Sequence, residues 1–227
     1  MPRPRMRRAL RAALAALVPL AFLAGPARAA DRGWPEPVPV VSHVETADPV
    51  VFITIDDGWT HDPAAAKLLL DRRVPASLFV LPGAYSYDPQ YFRTLLDHGP
   101  SRLENHTVDH PDLATLPADA QRAQACGARE SQLNTFGFEP RLLRPPYGTY
   151  DEDTRTVARA CGAKALVTWT YDFTTWGGWT PPTPRLQRGD IILLHFNDTL
   201  AADLARALAA ADAAGLRPAP LRDYVRE

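Results

Sequence analysis

Few residues in this chain have both the type and the placement to do chemistry. Asp56 and Asp57 stand side by side at the end of an apolar run, and His106 and His110 lie four residues apart. Arg144 and Tyr147 bracket two prolines, and Asp172 and His195 each close a further apolar stretch. Two histidines at i and i+4 on one helical turn face the same way and can share a metal ion. Adding one carboxylate completes the composition of a catalytic zinc site, three protein ligands with a position left for water. Either Asp56 or Asp57 can supply that ligand, and the other can act as base on the activated water. Arg144 next to paired acids would hold one of them ionised and aimed. His195, facing the same mouth, is a candidate general acid. Each feature also has a plain structural reading. Asp-Asp-Gly is a favoured turn, the two histidines can be surface or capping groups, Pro-Pro can be a rim loop, and a histidine on an apolar strand is often a satisfied core residue. The repetition favours chemistry: ionisable groups recur at the carboxyl ends of strands, where parallel α/β sheets place their sites.

The elements that must position them follow from the apolar pattern. Val50 to Asp56 is almost wholly β-branched or aromatic, as expected of a strand buried on both faces. Asp62-Pro63 and Asp88-Pro89 are N-cap and N1 pairs, opening helices to about Arg72 and Asp97. Further strands are expected at Ala76–Leu81, Leu103–Thr107, Leu142–Tyr147, Ala165–Asp172 and Ile191–Phe196, with a last short one near Ala219–Val225. Helices are expected over 117–135, 151–160 and 199–214. Strict alternation argues for a parallel sheet with helices outside it, and six or seven units point to an incomplete barrel in a single domain.

Composition narrows the function. Residues 1–29 carry six arginines, no acids, an apolar stretch from Ala12 to Ala24 and a small-x-small end at Ala27-Arg28-Ala29, the plan of a secretory signal peptide cut after Ala29. Residues 30–49 then form a Pro-rich lead-in, and 50–227 the domain. With the segment removed, 19 basic residues face 26 acidic ones, a net of −7. Such a chain is poorly suited to nucleic acid, and nothing in it predicts stable membrane insertion. Of the two cysteines, Cys126 and Cys161, an oxidising compartment permits one disulfide; two buried thiols are the alternative. The cysteines are expected on neighbouring helices that pack side by side.

In sequence order the stretches Thr54-Ile55-Asp56-Asp57-Gly58, Asn105-His106-Thr107-Val108-Asp109-His110-Pro111, Arg144-Pro145-Pro146-Tyr147-Gly148, Asp172 to Trp176 and Leu193-Leu194-His195 resemble the motifs of the NodB-homology polysaccharide deacetylases, carbohydrate esterase family 4. The resemblance spans about residues 48–225. It implies a distorted (β/α)7 barrel and hydrolysis of acetyl groups on a sugar polymer. It implies Asp56 as base, Asp57, His106 and His110 as ligands of Zn2+ (or Co2+ or Ni2+), and Arg144 as the group that orients Asp56. It further implies that the Tyr147 backbone N–H stabilises the oxyanion, that His195 protonates the leaving group, and that Leu193 lines the acetyl pocket. Trp176 and Asp172 join Tyr147 and Leu193 as substrate-binding residues. Two departures stand out. Thr175 occupies the place of a second acid that in the family tunes the histidine, and Arg102 and Glu104 replace the usual acid and small residue before Asn105, changes expected to affect packing more than chemistry.

The expected protein is therefore a secreted, monomeric, metal-dependent hydrolase of N-acetyl groups on peptidoglycan, chitin oligomers or exopolysaccharide. An O-acetyl xylan esterase and a binding relative without turnover are the alternatives, and a metal-free cyclic-amide hydrolase is disfavoured by His106 and His110. Trp59, Tyr85, Tyr87, Trp176 and Trp179 are candidates to stack on sugars.

Overall fold

The structure, a computed structural model, describes residues 35–225. Segment 1–29, expected to be a signal peptide, and the first part of the lead-in lie outside the described residues. Nine strands are described: β1 (Val40–Val41), β2 (Val50–Asp57), β3 (Ser77–Val80), β4 (Arg102–Asn105), β5 (Leu142–Leu143), β6 (Ala165–Val167), β7 (Tyr171–Asp172), β8 (Ile191–His195) and β9 (Arg217–Pro218). They alternate with α1 (Pro63–Asp71), α2 (Pro82–Tyr87), α3 (Pro89–His98), α4 (Ala118–Phe136), α5 (Glu152–Ala160) and α6 (Leu200–Ala213). The order across the sheet is β1-β6-β5-β4-β3-β2-β8-β7, with β9 also on β2, and every ladder pairing is parallel. The sheet curls without closing: among the described residues β1 and β7 share no ladder. This is the expected incomplete (β/α)7 barrel.

The period-2 geometry of β2 explains why its end becomes a site. Val51, Ile53 and Ile55 pack outward with Leu69, Phe92 and Leu204 of the surrounding helices. Val50 and Phe52 point inward with Phe79, Leu142, Val167 and Ile191. Thr54 and Asp56 continue the inward row, so the polar end of the strand caps the barrel interior. On the neighbouring β8 the parallel register sets His195 directly beside Asp56.

Both Asp-Pro pairs open helices as expected: the Asp62 carboxylate accepts the Ala64 N–H, and Asp88 accepts those of Gln90 and Tyr91. Other expectations are corrected. The strand expected at 142–147 ends at Leu143, because Pro145 and Pro146 have no N–H to give a ladder and a 3-10 turn follows at Pro146–Gly148. The strand expected at 165–172 breaks in two, β6 pairing with β1 and β5 while β7 pairs with β8. The lead-in is no simple linker over its described part, since β1 adds to the sheet and Val38 and Val44 are buried. The final strand falls at Arg217–Pro218 rather than after Ala219. Helix α2 was not expected; it buries Tyr85 edge-on against Phe136, so Tyr85 is a core residue and not a sugar platform.

Glu104 has a packing role, as anticipated. It is fully buried; Oε2 accepts the N–H groups of Arg141 and Leu142, and Oε1 pairs with Arg222. A carboxylate thereby does the work of a ladder carbonyl where β5 begins, and ties the C-terminal turn to β4.

Cys126 on α4 and Cys161 at the end of α5 are joined, with Cα atoms 4.9 Å apart. The bond closes a loop with a sequence separation of 35. Chain-entropy reasoning gives about 3–4 kcal/mol for a loop of that size. The Cys126→Ala/Cys161→Ala double variant should therefore unfold at clearly lower denaturant, with a steeper transition because the unfolded chain is no longer held together by the cross-link. Unfolding curves that coincide with and without a reductant would contradict a stabilising cross-link.

Candidate active site

Four strand ends build the site. Asp56 and Asp57 come from β2, His106 follows β4, Arg144 follows β5, and His195 ends β8. Arg144 organises the interior. It is fully buried, with its guanidinium 4.3 Å above the Phe79 ring. Nη1 donates to Asp56 Oδ1 at 2.7 Å and to Thr54 Oγ1 at 2.8 Å, Nε to Val167 O and Nη2 to Thr168 O. Burial draws the guanidinium below its ordinary value while Asp56 opposes it, and an arginine stays charged under such pressure. The cation thus fixes one oxygen of Asp56 and leaves Oδ2 turned towards the histidines, 3.8 Å from His106 Nε2.

Asp57 would be carried to the outer face if the strand continued. Instead it takes a left-handed φ of 73°, which ends the alternation and brings its carboxylate to the mouth beside Asp56. Thr107, His110 and Tyr147 are also left-handed, so four of the five non-glycine residues with positive φ among those described lie at this site. Each such residue costs on the order of 1–3 kcal/mol, and such strain concentrates where function holds it in place.

The two histidines meet, but not on a helical turn. Residues 106–110 form an irregular loop. Side chains take the N–H groups that a helix would use: Asn105 Oδ1 accepts from Thr107, Gln124 Oε1 from Val108 and Asp109, and Thr107 Oγ1 from His110. His106 is buried, and its Nδ1 lies 2.8 Å from Arg144 O. A carbonyl only accepts, so Nδ1 carries the proton and Nε2 keeps a free lone pair.

Those nitrogens suit a metal ion. Asp57 Oδ1 lies 3.5 Å from Nε2 of His106 and 3.5 Å from Nε2 of His110. Ligand atoms about 2.0–2.1 Å from a tetrahedral ion stand roughly 3.4 Å from one another. Asp57 Oδ1 is also buried without a hydrogen-bond partner, an arrangement that costs free energy unless a cation completes it. Asp57, His106 and His110 form the one cluster of metal-capable side chains among the described residues. Electrostatics agree. Burial pushes the Asp57 carboxyl up, but the imidazoles of His106, His195 and His110 outweigh it and hold the group below the usual carboxylate range. Burial lowers His106, yet Asp56, Asp57 and the Arg144 carbonyl outweigh that and raise it. His110 is lowered by burial and by His106, so it stays a neutral ligand.

The remaining predicted residues surround this cluster. Tyr147 packs edge-on against His110, and the residue is 66 % exposed. Leu193 lies on the inward row of β8 and is buried. Asp172 is exposed, and its Oδ1 accepts the Thr174 N–H, so it shapes the loop after β7. The Trp176 ring lies 4.8 Å from His195. Trp176 and Trp179 are bridged across Gly177 and Gly178, both left-handed, as a tight type I′ hairpin requires; the turn leaves both indoles exposed beside the site. Trp59 is exposed on the opposite side and rests over Gly83, where any added Cβ would strike the indole. Sequence reasoning missed Asp203. It lies on α6, is 3 % exposed, and binds the N–H and hydroxyl of Thr175. At the place where Thr175 stands in for the expected second acid, a carboxylate thus arrives from a different element. Only its place in the first turn of an apolar helix hinted at it.

The sequence profile described as polysaccharide deacetylase matches residues 43–166. An uncharacterised protein of Streptomyces coelicolor is 41% identical over 208 residues, covering 88% of this chain and 82% of that protein. A chitooligosaccharide deacetylase of Sinorhizobium fredii is 33% identical over 162 residues, covering 66% of this chain and 73% of the relative. Among solved structures, a family 4 carbohydrate esterase pseudoenzyme from Bacillus anthracis superposes with a TM-score of 0.71 at 18% identity, covering 83% of this chain and 69% of the other.

Proposed function

The chain belongs to the polysaccharide deacetylase family, hydrolases that act on acetylated sugar polymers, and from that premise we propose that it is a secreted, zinc-dependent enzyme removing N-acetyl groups from an amino-sugar polymer such as chitin oligomers or peptidoglycan. The observation that carries the reading is one constellation: a three-residue ligand cluster with Asp56 on one side, braced by Arg144, and His195 next to Asp56 in register. A pseudoenzyme shares the fold, so fold alone does not supply turnover, and the reading rests on these side chains being present together.

The roles follow from their chemistry. A divalent ion held by Asp57, His106 and His110 supplies a Lewis acid that polarises the acetyl carbonyl and acidifies water. Asp56, its Oδ1 occupied by Arg144, uses Oδ2 to take the proton from the attacking water. The Tyr147 backbone N–H serves as oxyanion donor, and Leu193 offers an apolar wall to the acetyl methyl. His195 returns a proton to the departing nitrogen, which an amide needs far more than an ester does. The exposed rings of Trp59, Trp176 and Trp179 flank the site and present faces for sugar rings. No helix of the described residues is long and apolar enough to cross a membrane, and export rests on the pattern at Ala12–Ala29.

Acetate release from chitin oligomers, peptidoglycan and O-acetylated xylan tests the proposal. Release from the first or second, with matching appearance of free amines, is the expected result. Activity confined to O-acetylated xylan would make the protein an esterase. Binding without release from any polymer would make it a relative that has lost turnover.

A further inference from the structure

We propose that Thr174 is the positioning residue of His195, and that Asp203, reaching in from α6, locks Thr174 in place. Thr174 Oγ1 lies 2.8 Å from His195 Nδ1, and Thr174 is 1 % exposed. A hydroxyl both donates and accepts. Here it accepts from Nδ1–H, which the ring keeps when Nε2 gives up its proton, so the contact survives proton transfer at the other nitrogen. The hydroxyl therefore keeps the ring in one orientation through both halves of a turnover, with Nε2 left to the substrate.

Such a contact aims the ring only if Thr174 cannot drift, and its backbone is pinned from several sides. Phe173 N–H donates to Leu193 O, and Thr174 N–H to Asp172 Oδ1. Asp203 then holds the next residue twice, Oδ2 accepting the Thr175 N–H at 2.8 Å and Oδ1 its hydroxyl at 2.7 Å. The same carboxylate accepts from Thr199 Oγ1 and Arg206 Nη2, and Arg206 also donates to Phe173 O. Burial pushes the Asp203 carboxyl up, but the Thr175, Thr199 and Arg206 donors outweigh it and hold it below the usual range. Residues 173–175 are thereby fastened to the first turns of α6. Trp176, next in the chain, lies against the His195 ring. The acid that Thr175 lacks is thus replaced by a hydroxyl at the histidine and a carboxylate one layer behind it.

The proposal rests on His195 being the leaving-group acid, and the experiment separates the two. kcat/KM is measured on an N-acetyl chitooligosaccharide and on 4-nitrophenyl acetate, whose leaving group departs without a proton. Thr174→Val keeps the shape and removes the hydroxyl; it should lose roughly 10- to 100-fold on the amide and far less on the ester, with Thr174→Ser restoring most of the loss. Asp203→Asn should show a smaller loss of the same selectivity. In metal-free 15N-labelled protein, the His195 ring-nitrogen signals should shift in Thr174→Val and return in Thr174→Ser, a readout independent of turnover. If His195→Ala is amide-selective but Thr174→Val costs both substrates equally, or leaves the ring signals unmoved, the lock is wrong and the acid assignment stands. If His195→Ala itself costs both substrates equally, the acid assignment falls and the lock falls with it.

Discussion

Removing divalent ions with a strong chelator is expected to lower acetate release by about 10³-fold or more, and stoichiometric zinc to restore it. Metal polarisation of a carbonyl is worth several kcal/mol in the transition state, and about 4 kcal/mol is a factor of 10³. His110→Ala should lose metal and turnover together, because two remaining ligands do not make a catalytic site. The structure adds a direction with pH. In the metal-free protein Asp56 and Asp57 raise His106, so a proton competes with the ion for Nε2. Binding must expel that proton, and affinity should weaken as pH falls. Calorimetry in buffers of different ionisation enthalpy would measure the proton released. Because the ion binds only the folded cluster, saturation at about a hundred times Kd should add roughly 2.7 kcal/mol of stability. Full activity in protein shown by elemental analysis to be metal-free would overturn the assignment.

Asp56→Asn is expected to abolish measurable deacetylation while the metal content remains one per chain. The amide is nearly isosteric, and its oxygen can still accept from Arg144 Nη1 where Asp56 Oδ1 now sits at 2.7 Å. That leaves the NH2 group facing the ligands, where it can donate but cannot take a proton from water. General base catalysis contributes typically about 10²- to 10⁴-fold, and the loss should reach the upper part of that range because no other carboxylate is free: Asp57 belongs to the ligand cluster. Arg144 also loses its partner charge. Breaking a buried pair by removing one member costs about 3–5 kcal/mol, so a lower melting temperature should accompany the lost activity. Elemental analysis separates this variant from His110→Ala, which should be both inactive and metal-poor. Activity of Asp56→Asn within tenfold of the parent would remove Asp56 from the base role.

Much of the barrel was legible because its signals are local. The apolar run of β2, the Asp-Pro helix starts at Asp62 and Asp88, and the small residues along α6 report their own conformation to any reader of the sequence. The chemistry was legible for a related reason. Parallel strands all end on one face, so an ionisable residue at the end of an apolar run is displayed at the mouth whichever strand carries it.

What the sequence left open depended on partners far along the chain. The spacing of His106 and His110 suggested a helical turn, but Gln124 and Asn105 offered their amide oxygens to the same N–H groups, and the loop took those bonds instead. Which of two adjacent acids joins the histidines turned on one dihedral, the left-handed φ of Asp57, while Arg144 and the β8 register hold Asp56 from 88 and more residues away. Thr175 read as an acid missing, whereas Asp203 supplies a carboxylate 28 residues later, because helix α6 folds back over the loop. Composition and order thus determined which groups exist and that they converge. Their arrangement, with Asp57 beside the two histidines, Asp56 on Arg144 and His195 on Thr174, was decided by a backbone turn and by side chains from distant elements once the barrel had brought them together.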